Sequence, residues 1–106
     1  MNDIGRLSHR VRVERLVETA DGAGGFSRTW VLYTTLWAKL RHIRGEESLT
    51  SDALTARIRT QMIYRSTHQL EPTMRCIINT IPYHILWITP HTDDPHYSLC
   101  LLERIS

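Results

Sequence analysis

Polar and apolar positions alternate along most of this chain, and that alternation predicts strands. In "HRVRVERLV", Val11 and Val13 alternate with Arg10, Arg12 and Glu14, the period-two signature of a strand with one buried face. Segment 26–41, "FSRTWVLYTTLWAKLR", is rich in the aromatic and β-branched residues that fit a pleated surface. It is long for one flat strand, so a bend or bulge is expected near Thr34–Thr35. "RIRTQMIYR" at 57–65 alternates again, and "MRCIINT" at 74–80 and "YHILWITP" at 83–90 follow. "YSLCLLERI" at 97–105 closes the series. About six strands joined mostly by short connections argue a mainly β fold, a small antiparallel β-barrel, because closure protects strand edges.

Two stretches break the alternation. The first is "DGAGG", where Asp21, Gly22, Gly24 and Gly25 lie between two strand patterns. A phosphate-cradling loop needs a helix after its glycines, so that free N–H groups face the anion. The residues that follow, Phe26 to Trp37, are strand formers. The glycines therefore read as a flexible hairpin connection that uses positive φ.

The second is "RGEESLTSDALTA" at 44–56, which is polar and spaces Leu49, Ala53, Leu54 and Ala56 roughly as a helix would. Glu46 and Glu47 near its start suit a helix N-terminus. The expectation is a long loop over 42–56 that contains one short helix. A connection of this length in a small domain is usually functional or disordered.

Composition narrows the classes. At 106 residues the chain fits one domain, 1–106, with a core of its own. Its 42% hydrophobic and 23% charged residues are those of a globular protein rather than a disordered one. Apolar runs such as "ILWI" and "LCLL" fall far short of the roughly 20 residues of a membrane span, so no membrane partner is expected. "MNDIGRLSHR" lacks the apolar core of a secretory signal, and a cytosolic chain is expected. Cys76 and Cys100 each sit in an apolar strand pattern with no CxxC spacing, which reads as two reduced, buried thiols. Lys39 is the single lysine among 13 basic residues, the rest being arginine, and the net charge is only +2. That is too small for a dedicated duplex-DNA binder, while arginine's planar fork suits protein interfaces.

Candidate chemistry is sparse. "HTDDPH" brings His91, Asp93, Asp94 and His96 together, but the spacing matches no zinc pattern and Asp-Asp-Pro is ordinary turn chemistry. No nucleophile elbow or pair of catalytic carboxylates stands out, so no catalytic residue, metal ligand or cofactor is assigned. Trp30, Trp37 and Trp87 lie among apolar strand neighbours and read as core residues. Arg57, Arg59 and Arg65 interleave with Tyr64, which keeps a small nucleic-acid-binding barrel as the alternative function.

Taken in order, these segments carry a family resemblance. "IGRLSHRVRVERLVET" resembles the opening strand of the head-closure proteins, also called head–tail joining or stopper proteins, of long-tailed double-stranded DNA phages and prophages. "DGAGGFSRTWVLYTTLWAKL", "GEE", "RIRTQMIYR", "EPTMRCI", "YHILWITP" and "LCLLERIS" continue it along nearly the whole chain. The resemblance implies a non-enzymatic barrel that assembles with copies of itself into a ring below the portal and its adaptor. The other partners implied are a tail protein and the DNA that passes through. Its place would be the virion, with the host cytoplasm during assembly. The loop 42–56, with Arg44, Glu46, Glu47 and Asp52, would face the channel and help retain DNA. The "DGAGG" loop would be a docking surface in the connector.

Overall fold

The computed structural model describes residues 7–44 and 58–105. Six strands follow in chain order: β1 (His9–Ala20), β2 (Phe26–Arg44), β3 (Ile58–Arg65), β4 (Arg75–Ile78), β5 (Ile81–Pro90) and β6 (Tyr97–Arg104). They close into an antiparallel barrel in the order β1-β2-β3-β6-β5-β4. The expected mainly β barrel is therefore the fold. The short helix expected within 44–56 lies outside the described residues.

Period-two alternation decides what fills the barrel. Val11, Val13, Leu36, Ala38, Met62, Tyr64, Cys76, Ile78, Tyr83, Ile85, Cys100 and Leu102 all point inward and are buried. A barrel of so few strands leaves only enough interior for its own side chains. Truncating a fully buried member such as Leu102 or Met62 to alanine would cost about 2–5 kcal/mol. Among the described residues Thr60 is the buried polar one, and His42 Nδ1 lies 3.0 Å from its hydroxyl. Cys76 and Cys100 are free, buried thiols, as expected. Burial pushes the Cys76 thiol up to about 12 and raises Cys100 and Tyr64 as well, so all three stay protonated at neutral pH.

Connectivity puts different features at the two ends. At one end lie the start of β1, the departure point of segment 45–57 and the β4–β5 turn. At the other lie the β1–β2 hairpin tip and the β5–β6 loop. β3 and β4 stand opposite each other in the strand order, so the connection 66–74 must cross the second mouth. It carries Leu70 and the buried Met74 onto the core, and the Tyr33 hydroxyl donates to the Gln69 carbonyl at 2.9 Å.

Tyr33 also marks the bulge. Val13 pairs with Thr34 and Glu14 with Leu32, which leaves Tyr33 as the extra residue on β2. The break anticipated near Thr34–Thr35 therefore falls one residue earlier. A second bulge leaves Leu86 extra on β5, between Ile85 and Trp87. Beyond the first bulge, β1 and β2 leave the barrel as a two-stranded arm, Glu14–Ala20 paired with Phe26–Leu32.

Arg75 braces the arm. Its guanidinium donates to the Glu14 carboxylate at 2.8 Å and lies 4.4 Å over the Trp30 ring. Arg12 adds a looser contact to Glu14 at 3.6 Å. Since both partners of the main pair are largely buried, the contact escapes most of the screening that makes surface pairs worthless.

The arm tip is an ordered turn rather than a floppy connection. Asp21 Oδ1 accepts from the backbone N–H of Ala23 at 2.8 Å and of Gly25 at 3.0 Å, while the Asp21 N–H donates to the Gly25 carbonyl. Gly22 and Gly24 take φ of 83° and 88°, which an L side chain resists. A Cβ at Gly25 would stand 2.9 Å from the Asp21 carboxylate.

The strand expected over 74–80 instead ends at Ile78. Asn79 and Thr80 form a two-residue turn with φ of 51° and 68°, and Ile78 then pairs with Ile81. Both central φ values are positive, as a type I′ hairpin requires, and asparagine suits the first position whereas glycine suits the second.

Three outcomes follow. Thr80→Gly should stabilise the barrel by about 0.5–1 kcal/mol, since relief of left-handed strain exceeds the entropy cost of glycine; equilibrium denaturation would measure it. Arg75→Ala should cost about 1.5–3 kcal/mol and shift the Trp30 fluorescence. The two N–H groups hold the Asp21 carboxyl below its ordinary value of 3.8. Its folded form is thus the more acidic, so its contribution is complete above that value and lost as pH falls through the lowered one. The Ala23 and Gly25 amide resonances should titrate below 3.8, and Asp21→Ala should abolish that titration.

Candidate interaction surfaces

The positions singled out in the sequence are dispersed over the molecule. Asp21, Gly22, Gly24 and Gly25 form the exposed or half-exposed arm tip. Arg44, assigned to a loop from residue 42, is instead the last residue of β2, where its backbone pairs with Ile58. His42 and Ile43 are likewise strand residues, paired with Thr60 and Arg59. Segment 45–57 therefore leaves and re-enters the barrel at adjacent points. Glu46, Glu47, Asp52 and Arg57 lie outside the described residues.

Arg59 and Arg65 are on the outer face of β3, but each has an intramolecular partner. Arg59 stands 3.6 Å from the Glu103 carboxylate, its cross-strand neighbour. Arg65 lies 5.6 Å from the Tyr97 ring. Both are committed to neighbours within the chain, which leaves less of their guanidinium surface for a phosphate backbone.

"HTDDPH" is a turn. Asp94 Oδ1 lies 3.0 Å from both the His96 backbone N and His96 Nδ1, and the Asp93 N–H donates to His91 Nδ1 at 3.1 Å. Those contacts hold the Asp94 carboxyl below its ordinary range. Among the described residues, no group of three or more His, Cys, Asp and Glu gathers where it could hold a metal ion.

The tryptophans overturn the expectation of core packing. Trp37 is 51% exposed beneath the Arg10 guanidinium at 5.2 Å, and Trp87 is 41% exposed. Trp30 is half-buried on the arm under Arg75. Strand alternation explains this. Leu36 and Ala38 occupy the inward positions of β2, which turns Trp37 outward. On β5 the bulge at Leu86 shifts the phase, so Ile85 points inward and Trp87 outward.

Two apolar surfaces result. One is the outward face of the arm, where Leu16 pairs with Trp30 and Leu32 is 54% and Phe26 70% exposed. An open cleft of about 800 Å³ separates it from connection 66–74 and is lined by Leu16, Leu32, Tyr33, Glu71 and Met74. The other is the outer wall of β3, β6 and β5, where Ile63 pairs with Leu99 and Leu101 with Trp87. Neither surface announces itself in sequence, because an outward apolar residue next to an inward one looks like a fully buried strand. The signal that was available is the pair of four-residue runs "ILWI" and "LCLL".

Comparison with known proteins bears on what such surfaces serve. Among the solved structures that share the fold are these two. One is a chain of the virion of a native gene transfer agent particle, with 22% sequence identity and a TM-score of 0.71, over 94% of this chain and 96% of that one. The other is the solution structure of protein SF1141 from Shigella flexneri 2a, with 23% identity and a TM-score of 0.74, over 97% of this chain and 96% of that one. No curated protein matches the chain. A family model described as phage head completion protein matches residues 3–105. With the six strands all inside that match, the chain belongs to the phage head completion protein family.

Proposed function

We propose that this protein closes the filled phage head: several copies form a ring between the portal with its adaptor and the tail, and that ring retains DNA and passes it on. Membership of the head completion family, over residues 3–105, carries the reading and makes the chain a structural protein of the virion. A similar fold occurs in a gene transfer agent virion particle. The architecture adds a physical reason for several copies. The barrel interior is filled by its own side chains, so DNA cannot thread one subunit and any passage must lie between subunits.

On this reading the role is non-catalytic, and the partners are further copies, the portal or adaptor, a tail protein and the passing DNA. Segment 45–57 faces the channel. Its carboxylates Glu46, Glu47 and Asp52 suit a lining that DNA must slide past, since every neutralised phosphate adds retention. Assembly takes place in the host cytoplasm.

Deleting the gene from the phage or agent that encodes it should yield heads that package DNA, lose it and carry no tails. Supplying the protein in trans should restore tailed, filled particles. Filled and tailed particles in the deletion strain would overturn the proposal. Electron microscopy and nuclease protection of the packaged DNA read both outcomes.

A further inference from the structure

The two apolar surfaces lie on opposite flanks of one subunit. In the closed order β1-β2-β3-β6-β5-β4, β1 and β6 are three strands apart in either direction. The arm grows from β1 and β2 and presents Leu16, Trp30, Leu32 and Phe26 outward. The wall patch centres on β6, with Leu99 and Leu101 flanked by Ile63 and Trp87. These surfaces cannot meet within one copy.

A ring is built from heterologous contacts, in which one patch meets a different patch of the next copy. Two distinct apolar patches on opposite flanks are what such a contact requires, whereas a two-fold dimer would need only one. One charge pair also matches. On the arm, Arg28 bridges Glu18 and Arg75 bridges Glu14, and the Asp21 carboxylate stands exposed at the tip. Beside the wall, Arg41 is exposed on β2, where it pairs in register with Gln61 of β3. The Arg75 contact with Trp30 holds the arm in place beforehand, which lowers the ordering cost of docking.

Resting on the ring reading above, we propose that the outward face of the arm of one copy seats on the β3–β6–β5 wall of the next. Leu32 and Phe26 pack against Trp87, Leu99 and Leu101, and Arg41 beside the wall faces the Asp21 carboxylate. The native thiols Cys76 and Cys100 are buried inside the barrel, so cysteines placed on the two surfaces report without interference.

The test uses particles assembled with the full chain that carries both Leu32→Cys and Trp87→Cys, treated with a short bifunctional maleimide. A ladder of covalently joined copies is expected from the double variant, and monomers alone from each single variant. Phe26→Glu, at a position 70% exposed and opposite Ala20, should keep the wild-type melting temperature and lose incorporation into particles. Dimers from a single variant would reveal a like-on-like contact and overturn the proposal, as would wild-type incorporation of Phe26→Glu. Cryo-electron microscopy of wild-type particles separates the two levels. A ring of this chain without the 32–87 ladder overturns this contact and leaves the ring standing. Particles without any ring overturn the reading beneath it.

Discussion

Barrel closure rests on a short seam. β1 and β4 pair over only Arg12↔Ile77, Val13↔Cys76 and Glu14↔Arg75, and β4 is the shortest strand of the six. Without that seam, β4 and the neighbouring side of β1 would be bare edges open to other chains. Its last pair is also the Glu14–Arg75 contact, so one interaction both ends the seam and begins the arm. The layout of the outer surface follows from this closure. It drives the inward residues into a packed interior, places β6 opposite β1, and forces connection 66–74 across the mouth, where it supports the arm through Tyr33.

The alternating residues made the strands and the barrel class legible, because one-sided burial writes itself as a period of two. Val11 and Val13 on β1 and Met62 and Tyr64 on β3 are that signal directly. Three things were not legible. The phase of a bulge depends on three-dimensional pairing, so Trp87 looked internal until the extra residue Leu86 turned it outward. Asn79-Thr80 lacks the glycine that marks a two-residue turn, and the strand pattern ran through it. The end of β2 was hidden because His42, Ile43 and Arg44 are polar or mixed, yet each backbone pairs with β3. The glycine cluster was half legible: it is a hairpin tip, as its neighbours implied, but Asp21 makes that tip ordered.

The candidate surfaces were less visible than the fold for a related reason. A family's short motifs place strands, and they do not say which of two adjacent apolar residues faces water. "LCLL" contains both kinds: Cys100 and Leu102 fill the barrel while Leu99 and Leu101 lie on the wall. Only the closed topology separates them, and only the strand order shows that the outward, half-buried set stands across the barrel from the arm.

The preference for arginine also acquires a specific meaning. Its planar guanidinium stacks on rings and bridges carboxylates in ways an ammonium cannot. Arg10, Arg65 and Arg75 lie over Trp37, Tyr97 and Trp30, while Arg12, Arg28 and Arg59 reach Glu14, Glu18 and Glu103. On exposed strands such contacts contribute little to stability one by one. They do cover aromatic faces that outward-pointing strand positions would otherwise leave bare. An arginine resting on a ring can still bridge a carboxylate with its edge N–H groups, as Arg75 does with Glu14 while it covers Trp30. A lysine-rich surface of equal charge would supply neither the stacking nor the forked bridges.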